Sequence, residues 1–148
     1  MDSGFQDVTA IEADFSHSRI IGSNFQNSKI SKSIFNNSRI INSMFREATG
    51  SEVRFEYSVI VRSSFFMSEI VESHFDVAYF EDSVFYQADL SGMRMFSVEL
   101  FNMRQFRPRS LQGCGIFNTN LRGTDLERFP INLHRIRRRR SSFRIPGA

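Results

Sequence analysis

The chain has one cysteine and no tryptophan in 148 residues. A lone thiol, Cys114, excludes an internal disulfide framework and suits a reducing compartment. Proline occurs only at Pro108, Pro130 and Pro146, so everything upstream keeps the backbone N–H groups that a continuous strand ladder needs. No run approaches the roughly 18–20 apolar residues of a membrane-spanning helix. The opening MDSGFQDVTAIEADF is acidic and has no apolar h-region, which excludes a secretory signal peptide. Missing too are a glycine-rich phosphate loop, a paired metal motif and a G-x-S-x-G elbow. The chain therefore reads as non-enzymatic, with no cofactor and no metal expected, and as cytoplasmic.

What the chain has in abundance is phenylalanine, 17 residues of it. Phe5, Phe15, Phe25, Phe35, Phe45, Phe55, Phe65, Phe75 and Phe85 recur every ten residues. Midway between them lie Ala10, Ile20, Ile30, Ile40, Gly50, Ile60, Ile70, Phe80 and Leu90, so the period is five. Two residues before each centre stands a small side chain, from Ser3 to Ala88, and twelve of these eighteen positions are Ser.

Neither the 3.6-residue period of a helix nor the two-residue period of a plain strand gives this pattern. A chain that turns a corner every five residues does. Four corners close a square coil of twenty residues, and such coils stack at the strand spacing of about 4.8 Å. Centres then fall in four internal columns, headed by Phe5, Ala10, Phe15 and Ile20. The small residue enters beside each centre, and a Ser hydroxyl there can bond the local backbone.

The block CGIFN-TNLRG-TDLER at 114–128 resembles the A(D/N)LXX signature of the pentapeptide-repeat family, and the Ser-x-Phe and Ser-x-Ile units are similar to its degenerate form. That resemblance implies an all-β, right-handed quadrilateral β-helix. Its expected extent is 1–128: regular at 1–100, interrupted at 101–113, and regular again at 114–128. The shift in frame carries the interruption, since centres after Leu100 reappear one residue late at Ile116, Leu121 and Leu126. Extended backwards, the late frame would put Arg104 and Arg109 in the inward small-residue slot, which a tight core would reject, so 101–113 is expected to be a bulge or loop rather than a regular coil. Residues 129–148 lack the repeat and are expected to form a flexible, arginine-rich tail.

Surface positions supply the candidate sites. Ile21, Ile41 and Val61 follow three centres of the Ile20 column and should form a dry outer strip for a partner. Glu47, Glu52, Glu56, Glu69, Glu72, Asp76, Glu81 and Asp82 form a candidate acidic wall. Residues 1–100 hold eight Lys/Arg against fourteen Asp/Glu, and residues 101–148 hold eleven Arg against two acids. This asymmetry separates an acidic body from a basic end. In the tail, Arg135, Arg137, Arg138, Arg139 and Arg140 read as a solubilising end or the remnant of a larger protein, with contact to nucleic acid or an anionic membrane as the alternative. His17 and His74 fall in different outward columns, no nucleophile or acid is placed with them or with His134 at a known spacing, and Cys114 takes an inward small-residue slot.

The leading expectation is a non-catalytic scaffold that binds a protein. The resemblance implies use as a bacterial secreted effector or as a module of a larger protein, with delivery into a host cell as the alternative location. A DNA mimic that protects a type II topoisomerase, as in the quinolone-resistance branch, is the alternative function. The repeat starts in register at Ser3 and Phe5 without a cap, so the first coil or the apolar strip is expected to pair with another chain, a homodimer included, or else an N-terminal portion has been lost.

Overall fold

Five residues carry the chain along one wall and round one corner. In a computed structural model, which describes residues 3–103 and 105–120, each centre points inward and its two neighbours point out. The next residue turns the corner with positive φ. From Asp7 to Asn118 that corner residue has φ between 48° and 72°, except at Pro108. Such left-handed backbone is unfavourable for side chains other than Gly or Asn. It persists because the corner is tied on both sides. At Asn27, its N–H donates to Arg46 O of the next coil (3.0 Å), and the following Ser28 N–H donates back to Phe25 O (3.2 Å).

Among the described residues nine three-residue strands line the walls. On the Ile20 wall, β1 (Arg19–Ile21), β2 (Arg39–Ile41), β4 (Val59–Val61), β6 (Tyr79–Glu81) and β8 (Glu99–Phe101) form one parallel sheet in register. The opposite Ala10 wall holds β3 (Thr49–Ser51) and β5 (Glu69–Val71), and the Phe15 wall holds β7 (Arg94–Phe96) and β9 (Gly115–Phe117). Single parallel bridges such as Asn24↔Met44 continue the pattern on the Phe5 wall. The chain is thus a quadrilateral β-solenoid, as the five-residue period requires.

The interior consists of aligned columns. Phe5, Phe25, Phe45, Phe65 and Phe85 stack with centroids 4.6–4.8 Å apart. Phe15, Phe35, Phe55 and Phe75 stack at 4.9 Å. The two columns meet edge to face, as Phe25 meets Phe35 at 5.9 Å and 78°. Ring spacing follows the strand spacing of about 4.8 Å, and each pair adds roughly 0.5–1.5 kcal/mol beyond the area it buries.

Small inward residues make room for the rings and satisfy the corners. Ser28, Ser38, Ser58 and Ser68 donate to the carbonyls of Phe25, Phe35, Phe55 and Phe65. Ser23, Ser43 and Ser63 form a ladder in which each N–H donates to the hydroxyl one coil on, ending at Ser83 Oγ, all at 3.2 Å. Among the described residues no buried side-chain nitrogen or oxygen lacks a partner.

Across 101–113 the stack continues with one residue inserted. Phe106 packs under Phe85 at 5.4 Å, and coil-to-coil side-chain bonds there span 21 residues rather than 20. Arg109 stays out of the inward slot, as a tight core demands: Pro108 is buried and Arg109 is exposed. Arg109 N–H donates to Ala88 O, while Ser110 O accepts from Leu90 N–H. Two residues therefore oppose Asp89, a bulge that swings the guanidinium outward. Arg104, Leu121, Leu126, His134 and the tail arginines Arg135, Arg137, Arg138, Arg139 and Arg140 lie outside the described residues.

Candidate interaction face

The five-stranded sheet exposes two parallel rows of side chains. After the centres run Ile21, Ile41, Val61, Glu81 and Phe101, held opposite one another by the strand register. Before the centres run Arg19, Arg39, Val59, Tyr79 and Glu99. The expected strip Ile21, Ile41 and Val61 is therefore contiguous, and all three side chains are half-buried by their neighbours. Val59 and Tyr79 widen it sideways, and Phe101, 56% exposed, reappears beyond Glu81.

Tyr79 gives this face a polar handle. Its hydroxyl donates to Glu81 Oε2 at 3.1 Å. Burial, then the bond to Glu81 and the nearby carboxylates Asp82 and Glu99, push its pKa up to about 12, so it stays a neutral donor. The adjoining corner is also apolar, since Tyr57, Val77 and Phe96 are 61%, 44% and 51% exposed. Reading only the residue after each centre finds Ile21, Ile41, Val61 and, past Glu81, Phe101. The residue before each centre would have added Val59 and Tyr79.

The eight carboxylates of the expected acidic wall do not share one face. Glu52, Glu69 and Glu72 lie along the Ala10 wall, Glu56 and Asp76 along the Phe15 wall, Glu81 and Asp82 along the Ile20 wall, and Glu47 at the end of the Phe5 wall. Several are neutralised locally. Glu47 pairs with Arg46 at 2.9 Å and Glu69 with Arg109 at 3.2 Å. Asp76 accepts from Arg94 and from Phe96 N–H. Glu56 accepts from Asn36 and lies 3.6 Å from His74 Nδ1. His17 is an exposed corner residue.

Elsewhere, Phe66 and Tyr86 stack at 5.9 Å on the Phe5 wall, with Arg46 5.1 Å over Phe66. Cys114 packs against the core and donates to Leu90 O at 2.9 Å. At the first coil, Phe5, Ala10 and Phe15 are half-buried, whereas Phe25, Ile30 and Phe35 below them are fully buried. Among the described residues no three His, Cys, Asp or Glu side chains converge as a metal site would need.

The pentapeptide-repeat family model matches this chain in eight copies, over residues 5–37. The chain belongs to the pentapeptide-repeat family. Its coils are similar to a solved pentapeptide repeat protein from the Arabidopsis thaliana thylakoid lumen, with TM-score 0.57 and 19% identity over 59% of this chain. The match spans 61% of that protein's own length. They are similar also to QnrB1, a plasmid-mediated fluoroquinolone resistance protein, with TM-score 0.50 and 11% identity over 83% of this chain and 71% of the other. At such identities the likeness is one of fold. No curated protein matches the sequence.

Proposed function

We propose that this pentapeptide-repeat protein is a non-catalytic scaffold that binds a protein partner through its Ile20 wall. One observation carries the reading: a single flat, five-stranded sheet presents a contiguous apolar row flanked by charge, with a rigid repeat fixing every spacing. Apolar rows of this kind, rimmed by polar residues, are features of interaction surfaces. The test is affinity purification with the intact chain and with Ile21, Ile41 and Val61 changed to Ser. A control carries the same change at Thr9, Lys29 and Thr49 on the opposite wall. Loss of captured protein only with the first variant supports the reading, and unchanged capture removes it.

A DNA surrogate acting on a type II topoisomerase is the second reading. Its support is the surplus of acids in residues 1–100. The spread of the carboxylates over four walls, with Arg46, Arg94 and Arg109 set among them, supports it less well than a continuous acidic stripe would. Gyrase supercoiling with and without a fluoroquinolone, in the presence of the chain, discriminates between the two. Service as a bacterial effector is a finer form of the first reading, and partners recovered reproducibly from a host-cell extract would favour it.

A further inference from the structure

We infer that the partner fitting the Ile20 wall is a second copy of this chain, packed wall to wall with the two solenoid axes antiparallel. The inference rests on the reading that this wall is an interaction face, and it names the occupant. What carries it is the order of residues along the two rows. The sheet runs β1-β2-β4-β6-β8, so β4 is its middle strand. The row before the centres begins with Arg19 and Arg39, is neutral at Val59 and Tyr79, and reaches Glu99, beyond which Asn120 bridges to it and donates to Glu99 Oε2 at 2.8 Å. Opposite charges thus stand on the first and fifth strands of the sheet in one row, four strand spacings or about 19 Å apart.

A twofold axis laid along β4, between two such walls, sets each row against itself in reverse. β1 then faces β8 and β2 faces β6. Arg19 of one copy meets Glu99 of the other, twice by symmetry, as an isologous contact requires. Arg39 meets Tyr79, with Glu81 beside it through the Tyr79 hydroxyl. Val59 and Val61 meet their own counterparts at the axis, and Ile21 meets Phe101. Ile41 opposite Glu81 is the one mismatched contact. Parallel solenoid axes would instead set Arg19 on Ile21 and Glu99 on Phe101, burying each charge against an apolar side chain. Arg19 and Arg39 are exposed and make no ion pair among the described residues, so each can meet a carboxylate of another chain.

Ten side chains on each copy make a footprint at the low end of specific interfaces, where association is weak. A dissociation constant on the order of 10 µM is expected. Sedimentation velocity over a concentration series tests this with Arg19→Glu and Glu99→Arg, each checked for an unchanged thermal melt. Each variant alone sets like charges together twice and should dimerise at least about 10-fold more weakly than the natural chain. Mixed in equal amounts, they restore two opposite-charge contacts and should recover dimerisation. A natural chain that stays monomeric to about 1 mM, or a mixture no better than either variant alone, overturns the inference. So does a dimer that survives Ile21, Ile41 and Val61 changed to Ser, since the copies would then meet elsewhere. A monomeric natural chain whose capture of other proteins is lost with that same triple change would sink self-pairing and leave the interaction face standing.

Discussion

Gly50 and Val53 share one space in the core: a Cβ built on Gly50 would lie 2.7 Å from Val53 Cγ2. In the coils on either side the centre is large, Ile30 and Ile70, and the next inward slot is small, Ser33 and Ser73. Here the two sizes are exchanged. Both Gly50 and Val53 are fully inside.

Enlarging Gly50 alone should therefore overpack the coil. Gly50→Ile alone is expected to cost about 3 kcal/mol, and Val53→Ser alone should cost about 1–3 kcal/mol through the space it opens. Gly50→Ile combined with Val53→Ser restores the arrangement of the neighbouring coils. The double variant should lie closer to the natural chain than the sum of its parts, a coupling that equilibrium urea unfolding measures. Simple additivity of the two changes would refute the exchange.

Val77 turns its corner with φ of 57° and is 44% exposed. A β-branched residue in left-handed backbone is strained by roughly 1–3 kcal/mol, whereas Asn tolerates it. Val77→Asn should stabilise the fold by about 1 kcal/mol in the same assay. A loss of stability would mean that the valine methyl groups pack more usefully than the sequence position suggests.

Cys114 is held as a neutral thiol. Burial pushes its pKa from the ordinary 9.0 up to about 11. A raised pKa means that the folded state favours the protonated form. This contribution is complete below pH 9 and is lost as pH rises through 11. Two readouts follow. Alkylation by iodoacetamide at pH 8 should be at least about 10-fold slower in the folded chain than in urea. Stability should fall between pH 9 and pH 11, and should do so less in Cys114→Ala. Equal alkylation rates in the two states would contradict the buried-thiol geometry.

The columns were legible because each wall position repeats at a fixed interval of twenty residues, so Phe25 and Ser28 declare their places without reference to anything distant. The proposed interaction face was half legible. Ile21, Ile41 and Val61 are uniformly apolar, but Val59 and Tyr79 share a row with Arg19, Arg39 and Glu99, and a mixed row does not announce itself. The carboxylates misled for the opposite reason. Glu69, Asp76 and Glu81 are close in sequence, yet one coil wraps them round three walls. At 101–113 the cue was confounded locally, because Met103 keeps the old frame and Phe106 already follows the new one. The carbonyls of Gln105 and Arg107 already pair one residue late, with the N–H groups of Phe85 and Gln87, so the new frame is in force before Pro108 within a continuing coil. No one-dimensional pattern displays such a compensation.

The coil-to-coil bonds also make length a quantised property of this molecule. Ser23 finds Ser43, and Ser43 finds Ser63, only because twenty residues separate them. Removal of residues 41–60 would join Ile40 to Val61 and shorten the rod by one storey with every column still aligned. Removal of nineteen or twenty-one would rotate the remainder out of alignment. The single extra residue before Phe106 is tolerated because a local bulge accompanies it, whereas lineages of this gene would be expected to lengthen and shorten chiefly in whole turns.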